Sequence, residues 1–317
     1  MGITKNNLTN ETIVNIFAKT FPNKKIQNIK ELTEGMFNAA YTVSFEDGSE
    51  SILKVAPEND EGLMSNEINL MSAEVQAMKI MSEYDFVHVA KVQSYDTSKS
   101  LCNSDYFIME KIEGDNWIFV KDGMTKEEQD IIHNEIGKIQ KNMSKIKNET
   151  FGLLGDSIRF DSLYDFFYIL LNNVLNDVEA NNIEIGVNSK TILEQLEKDK
   201  QIFDEVETPT LVHWDMWEGN IFVKNNHVSG VIDWERAMWG EPFMDDRFRR
   251  HSRNKEFLKG FGQTCFSENQ KRRLNWYDVL LFITMMAEVT YRQYSDDGQY
   301  HWVKPLFDSA WKELKMI

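Results

Sequence analysis

Apolar positions along this chain follow two periods, and the change from one to the other marks its plan. Before about residue 112 the runs are short, β-branched or aromatic, and bounded by polar or glycine-containing turns. Such runs at 26–33, Tyr41–Phe45, Glu50–Ala56, 91–95 and 105–112 predict strands. A helix is expected at 9–20, with Thr9 or Asn10 as its cap. Another is expected at 64–83, where Met64, Ile68, Met71, Val75, Met78 and Met81 recur at three- and four-residue intervals and define a core-facing stripe. Beyond Glu113-Gly114 the spacing becomes helical. Thr125-Lys126-Glu127-Glu128 forms a capping box that opens a helix to about 146. Further helices are expected at 162–182, 190–205, 254–263, 268–292 and 301–315. The pattern predicts an α+β fold: a small β-rich N-terminal part, residues 1–112, and a larger, mostly helical part, residues 113–317.

One stretch in the helical part breaks this rule. Ile221–Val223 and Val228–Ile232 are two short apolar runs joined by Lys224-Asn225-Asn226-His227, the pattern of a β-hairpin. With the turn centred between Asn226 and His227, Asn220 and Asp233 face each other at the open end, with Cα atoms roughly 4.5–5.5 Å apart. A carboxylate and an amide oxygen are hard ligands. They suit Mg²⁺, which keeps several waters and is usually held by one or two protein groups together with substrate phosphates. Asp215 lies at the start of the loop entering the hairpin, where its carboxylate can face a hydroxyl nucleophile.

The N-terminal part supplies a matching cation. Glu46-Asp47-Gly48-Ser49 is a hairpin turn, and centring it between Asp47 and Gly48 places Lys54 opposite Tyr41. Lys54 lies within Ile52-Leu53-Lys54-Val55-Ala56, and a lysine on a buried strand requires an anionic partner. Glu74 sits within the apolar stripe of the 64–83 helix and is the preferred partner. Glu67 lies on nearly the same face and is its rival.

These residues carry a family resemblance. His213-Trp214-Asp215-Met216-Trp217-Glu218-Gly219-Asn220 resembles the catalytic loop of aminoglycoside phosphotransferase-like small-molecule kinases. Ile232-Asp233-Trp234-Glu235, with Gly240-Glu241-Pro242 and Asp245, resembles their metal-binding segment. Glu34-Gly35-Met36-Phe37-Asn38 is similar to their nucleotide-covering loop. The resemblance implies a bilobal protein-kinase-like fold and transfer of the γ-phosphate of ATP or GTP to a hydroxyl of a small molecule. In that scheme Asp215 is catalytic, and Asn220 and Asp233 hold Mg²⁺. Gly35, Asn38 and Lys54, the last set by Glu74, serve the phosphates. Met109, the Glu110 carbonyl and the Ile112 N–H serve the base. Because backbone groups read the base, ATP and GTP are not distinguished. Trp214 departs from the glycine many relatives carry, and Glu241 from their aspartate. No Ala-Pro-Glu segment follows Asp233, which disfavours a protein acceptor.

Composition narrows the partners. A net charge of −16 argues against nucleic acid. Residues 113–233 hold 11 basic and 23 acidic groups, so the acid excess lies around the acceptor side and favours a cationic acceptor. Four of the eight tryptophans, Trp214, Trp217, Trp234 and Trp239, cluster near the loop, and Trp217 is the pocket candidate. An aminoglycoside-type antibiotic is the leading acceptor. Choline, homoserine, a macrolide or a sugar-like metabolite is the alternative, as is a nucleotide-binding regulatory module without transfer. Arg247, Arg249, Arg250 and Arg253 read as a solvated helix face or as partners for Asp245 and Asp246. No apolar run has the length of a membrane span, and Cys102 and Cys265 lack metal-type spacing. A cytoplasmic protein is expected.

Overall fold

A computed structural model describes residues 5–33 and 37–316. Helix α1 (Asn10–Thr20) is capped by the Thr9 hydroxyl. It packs on a five-stranded antiparallel sheet built from β1 (Ile26–Leu32), β2 (Ala39–Phe45) and β3 (Glu50–Val55), then, after helix α2 (Leu70–Met81), from β4 (Val92–Asp96) and β5 (Tyr106–Glu110). The strand order is β1-β2-β3-β5-β4, which puts β3, with Lys54, at the centre rather than at an edge. One face of the sheet buries Tyr41, Val43, Leu53 and Ile108 against Ile13, Ile16 and Phe17 of α1. The other face, with Ile52, Phe107 and Met109, joins α2 and the whole helical part in one continuous core. The N-terminal part therefore has one core of its own, beneath α1, and shares the other with the helical part.

After Glu110 the chain passes Gly114, at φ +114°, where a Cβ would lie 2.5 Å from the Val223 carbonyl oxygen. The helical part follows as β6 (Asp115–Asn116), α3 (Trp117–Val120), α4 (Lys126–Met143), β7 (Gly152–Leu153), α5 (Leu163–Ala180), α6 (Ser189–Lys198), β8 (Thr210–Val212), β9 (Ile221–Lys224), β10 (His227–Val231), β11 (Met238–Gly240), α7 (Lys255–Phe261), α8 (Glu268–Tyr291) and α9 (Gly298–Lys315). The capping box at Thr125 and Glu128 is formed. Two three-stranded sheets, β10-β9-β6 and β7-β11-β8, hold the predicted hairpin and its flanks. Among the described residues no helix is long and apolar enough to cross a membrane.

Both hairpin registers differ from expectation, each because of its turn. In the first, a three-residue loop closed by Gly48 at φ +82° shifts the pairing by one, so Lys54 faces Ala40 and Tyr41 faces Leu53. In the second, Asn225 and Asn226 both take positive φ and form a two-residue loop, pairing Lys224 with His227. A bulge at Ser229 then moves the register by one residue. As a result the Ile232 N–H donates to the Asn220 carbonyl at 3.0 Å. Asp233 is not cross-strand to Asn220; it leaves the strand in the left-handed conformation, at φ +59°.

Two further expectations are corrected. Helix α2 begins at Leu70, not at residue 64, because tertiary bonds capture the preceding turn. The Ser65 N–H and hydroxyl both donate to Asp177, Asn66 Nδ2 donates to the Leu170 carbonyl, and Asn69 Nδ2 donates to the Gly155 carbonyl. The arginine cluster is not a solvated helix face: Arg247 and Arg249 are each 1% exposed. Asp278 pairs with Arg249 and Arg250.

Candidate active site

Strand β3 and helix α2 bring Lys54 and Glu74 together in the core. Lys54 Nζ donates to Glu74 Oε1 at 2.7 Å and also to Asp233 Oδ1. The two side chains are 9% and 1% exposed, so solvent screens the pair little. Burial opposes the lysine's charge, but Asp233 and Glu74 outweigh it and hold the ammonium above its ordinary range. Glu67 is not the lysine's partner. It accepts from Arg236 at 3.0 Å, from Arg292, and from the Met64 N–H at 2.9 Å.

The predicted loop joins this pair from the other side. Asn220 Nδ2 donates to the Asp215 carbonyl at 2.8 Å and to its Oδ2 at 3.1 Å. Both contacts engage the amide nitrogen, which leaves the Asn220 amide oxygen as the atom open to a cation. Burial raises the Asp215 carboxyl well above the ordinary carboxylate value; Arg236 offsets part of this, while Asp246, Asp233 and Glu288 add to it. His213 is fully buried. Its Nε2 bonds the Ile232 carbonyl at 2.9 Å and its Nδ1 accepts from the Asp215 N–H at 3.3 Å, tying the loop to the far end of the hairpin. Burial lowers its imidazole to about 4, so it stays neutral.

Trp214 accounts for its own departure from the family pattern. Its φ is +74°, a conformation natural to glycine and one that costs a bulky residue about 1–3 kcal/mol. The backbone is held on both sides, since Asp245 Oδ2 accepts the Trp214 N–H at 3.0 Å and the Asp246 N–H donates to the Trp214 carbonyl at 3.0 Å. The ring lies 5.1 Å from the Arg236 guanidinium. The larger side chain therefore leaves the backbone in the glycine-type conformation. It also walls a mostly apolar cavity shared with Met64, Leu70, Met238, Leu280 and Thr284.

The remaining predicted residues lie outside these two bonded pairs. Asn38 Nδ2 donates to Glu235 Oε2 at 2.8 Å, bridging the loop after β1 to the segment after Asp233. Burial lifts the Glu235 carboxyl to about 7. Gly35 lies outside the described residues. Met109 and Ile112 are buried, and the Glu110 N–H donates to the Lys91 carbonyl at 3.0 Å. Ile112 packs over Gly230 of β10, where a Cβ would meet its side chain at 2.7 Å. Trp217 is 42% exposed and lies against Gly219, leaving it at the surface of the loop. Glu235 and Arg236 line the cavity beside Trp214; the sequence marks Glu235 only as part of Ile232-Asp233-Trp234-Glu235 and gives Arg236 no role. Their position directly after Asp233 was the available signal.

A donor set of one carboxylate and one amide oxygen fits a cation that takes its other ligands from phosphates and water. Among the described residues no group of three or more His, Cys, Asp or Glu is placed to hold an ion by itself.

Comparison with known proteins agrees with the geometry. The structure resembles that of a thermostable mutant of the aminoglycoside phosphotransferase APH(4)-Ia, with a TM-score of 0.65 and 13% identity, covering 98% of this chain and 100% of that one. It also resembles a protein assigned as a fructosamine-3-kinase from Haemophilus somnus 129PT, with a TM-score of 0.67 and 14% identity, covering 95% of this chain and 97% of the other. A third similar structure is the GDP and kanamycin complex of APH(2")-IIIa, with a TM-score of 0.63 and 14% identity, covering 95% and 98%. These likenesses show the kinase-like fold. No curated protein matches. Residues 28–245 match the phosphotransferase enzyme family, and they contain the lysine, the loop and the hairpin described above; the chain belongs to that family.

Proposed function

We propose that this phosphotransferase moves the γ-phosphate of ATP or GTP to a hydroxyl of a small, amine-bearing molecule. The observation that carries the reading is the approach of two hydrogen-bonded pairs, Lys54–Asp233 and Asn220–Asp215, tied to each other by the Ile232 N–H bond to the Asn220 carbonyl and by His213 between Asp215 and Ile232. Asp215 orients the acceptor hydroxyl and takes its proton as the oxygen attacks phosphorus, a role suited to a carboxyl whose proton affinity is raised. Lys54, steadied by Glu74, turns from Asp233 to the α- and β-phosphates. The Asn220 amide oxygen and the Asp233 carboxylate would hold Mg²⁺, which would supply positive charge against that of the phosphates. Asn38 covers the phosphates, while Met109, the Glu110 carbonyl and the Ile112 N–H receive the base. The boundary between the lobes falls between Ile112 and Glu113.

The acceptor class rests on charge and on fold relatives. Asp246 and Glu288 add negative potential at Asp215, which Arg236 partly offsets. Structural relatives include complexes with hygromycin B, kanamycin and streptomycin. Others are assigned as fructosamine-3-kinases. Both groups of ligand are hydroxyl-rich and bear amines, and an aminoglycoside-type antibiotic is the leading candidate. The test is ADP or GDP release from ATP or GTP with Mg²⁺ across a panel of aminoglycosides, fructosamines, choline, homoserine and macrolides. Asp215→Ala and Asp233→Ala serve as controls. Each is expected to fold and to lose about 10²–10⁴-fold in turnover; near-normal turnover in both would overturn the assignment.

A further inference from the structure

Residues 245–247 run beside the catalytic loop and hold its alternate members. Asp245 and Asp246 bond the two backbone groups of Trp214, each at 3.0 Å. Arg247 takes the next two positions. Its Nε donates to the Met216 carbonyl at 2.7 Å and its Nη1 to Glu218 Oε1 at 3.1 Å. Asn116 Nδ2 then holds the Gly219 carbonyl at 2.6 Å. The loop from Trp214 to Asn220 is thus gripped at 214, 216, 218 and 219.

The Arg247 guanidinium is 1% exposed and lies 5.4 Å from the Trp117 ring. Glu218 is the carboxylate within ion-pair distance of it, and Nη2 has no hydrogen-bond partner among the described residues. A buried cation with one carboxylate partner is stable only while that partner stays in place. That partner belongs to the loop. Burial alone would raise the Glu218 carboxyl, but Arg247 and a backbone hydrogen bond hold it below the ordinary range, so it meets the guanidinium as a carboxylate at neutral pH.

We propose that Arg247 is a positioning residue: its planar fork fixes the separation of Asp215 and Asn220 by holding Met216 and Glu218 between them. It touches neither substrate nor phosphates. A lysine cannot replace it, because a point charge on a flexible stem cannot serve the carbonyl and the carboxylate in one plane. The catalytic readout rests on the phosphotransfer reading above, whereas the structural readout does not.

The test compares wild type with Arg247→Lys and Glu218→Gln. It reads hydrogen exchange at 214–220 in the full chain, thermal midpoint, and kcat and KM with Mg-nucleotide. Arg247→Lys should speed exchange at 214–220 about tenfold, leave α5 and α8 unchanged, and lower kcat about 10²-fold with nucleotide KM within about threefold, the scale expected for a displacement near 1 Å. Glu218→Gln, at a side chain 25% exposed, should shift the same readouts in the same direction by less. The double variant should cost no more than Arg247→Lys alone, because both act through one contact. Wild-type exchange at 214–220 in Arg247→Lys overturns the proposal, as does a loss seen only in KM. If Arg247→Lys does not fold, wild-type exchange in Glu218→Gln overturns it. If the wild type neither binds nor turns over nucleotide, the phosphotransfer reading fails while the exchange data still judge the clamp.

Discussion

Glu74→Gln isolates what the buried lysine pair does. The change keeps the shape and removes the charge that Lys54 Nζ meets at 2.7 Å. Lys54 is not left unpaired, because Asp233 remains bonded to it. Global stability should therefore fall by no more than about 1–2 kcal/mol, the scale of one weakened hydrogen bond. The larger effect is on direction. Without the α2 carboxylate, the lysine is drawn wholly onto Asp233, the group proposed to hold the cation. A charge-assisted hydrogen bond contributes about 1.5–3 kcal/mol. Lost from the transition state, that corresponds to about a 10–150-fold drop in kcat/KM. The assay is steady-state nucleotide turnover beside urea denaturation. A Glu74→Gln enzyme whose kcat/KM stays within about twofold of wild type would refute the reasoning, as would a loss fully explained by the unfolded fraction.

Glu67→Ala strands the Arg292 guanidinium, 7% exposed at its side chain, and leaves Arg236 with Glu288 alone. It should destabilise the chain by about 3–5 kcal/mol in urea denaturation, and a change under about 1 kcal/mol would count against the pairing. Gly137→Ala places a Cβ 2.2 Å from the Phe257 carbonyl oxygen where α4 meets α7. The helices must separate, at a cost of about 1–3 kcal/mol, so the thermal midpoint should drop while the nucleotide KM stays unchanged. His133 is held from 6.5 down to about 4, first by burial and then by Arg247. The unfolded chain therefore binds this proton at higher pH than the folded one does. The stability it confers is present above about pH 6.5 and is lost as the pH falls toward about 4. In His133→Gln the slope of stability against pH over that window should become shallower, and an unchanged slope would remove His133 as a contributor.

What was legible in the sequence was whatever a local pattern reports. The period of apolar residues separated strands from helices, the Thr125 capping box opened α4 as expected, and a charge within an apolar stripe required a partner, which led from Lys54 to Glu74. The candidate loop at 213–220 was legible because its residues are neighbours in sequence. Tertiary structure alone decided the rest. Neither hairpin register could be read, because one bulge or one left-handed glycine moves it by a residue without changing the apolar pattern. The first turn of the expected 64–83 helix was lost to Asp177, Leu170 and Gly155, and Glu67 found its cations in Arg236 and Arg292. The burial of Arg247 against Trp117 and Glu218 belongs with these. A periodicity tells which face of an element is covered, and only the folded chain brings up what covers it.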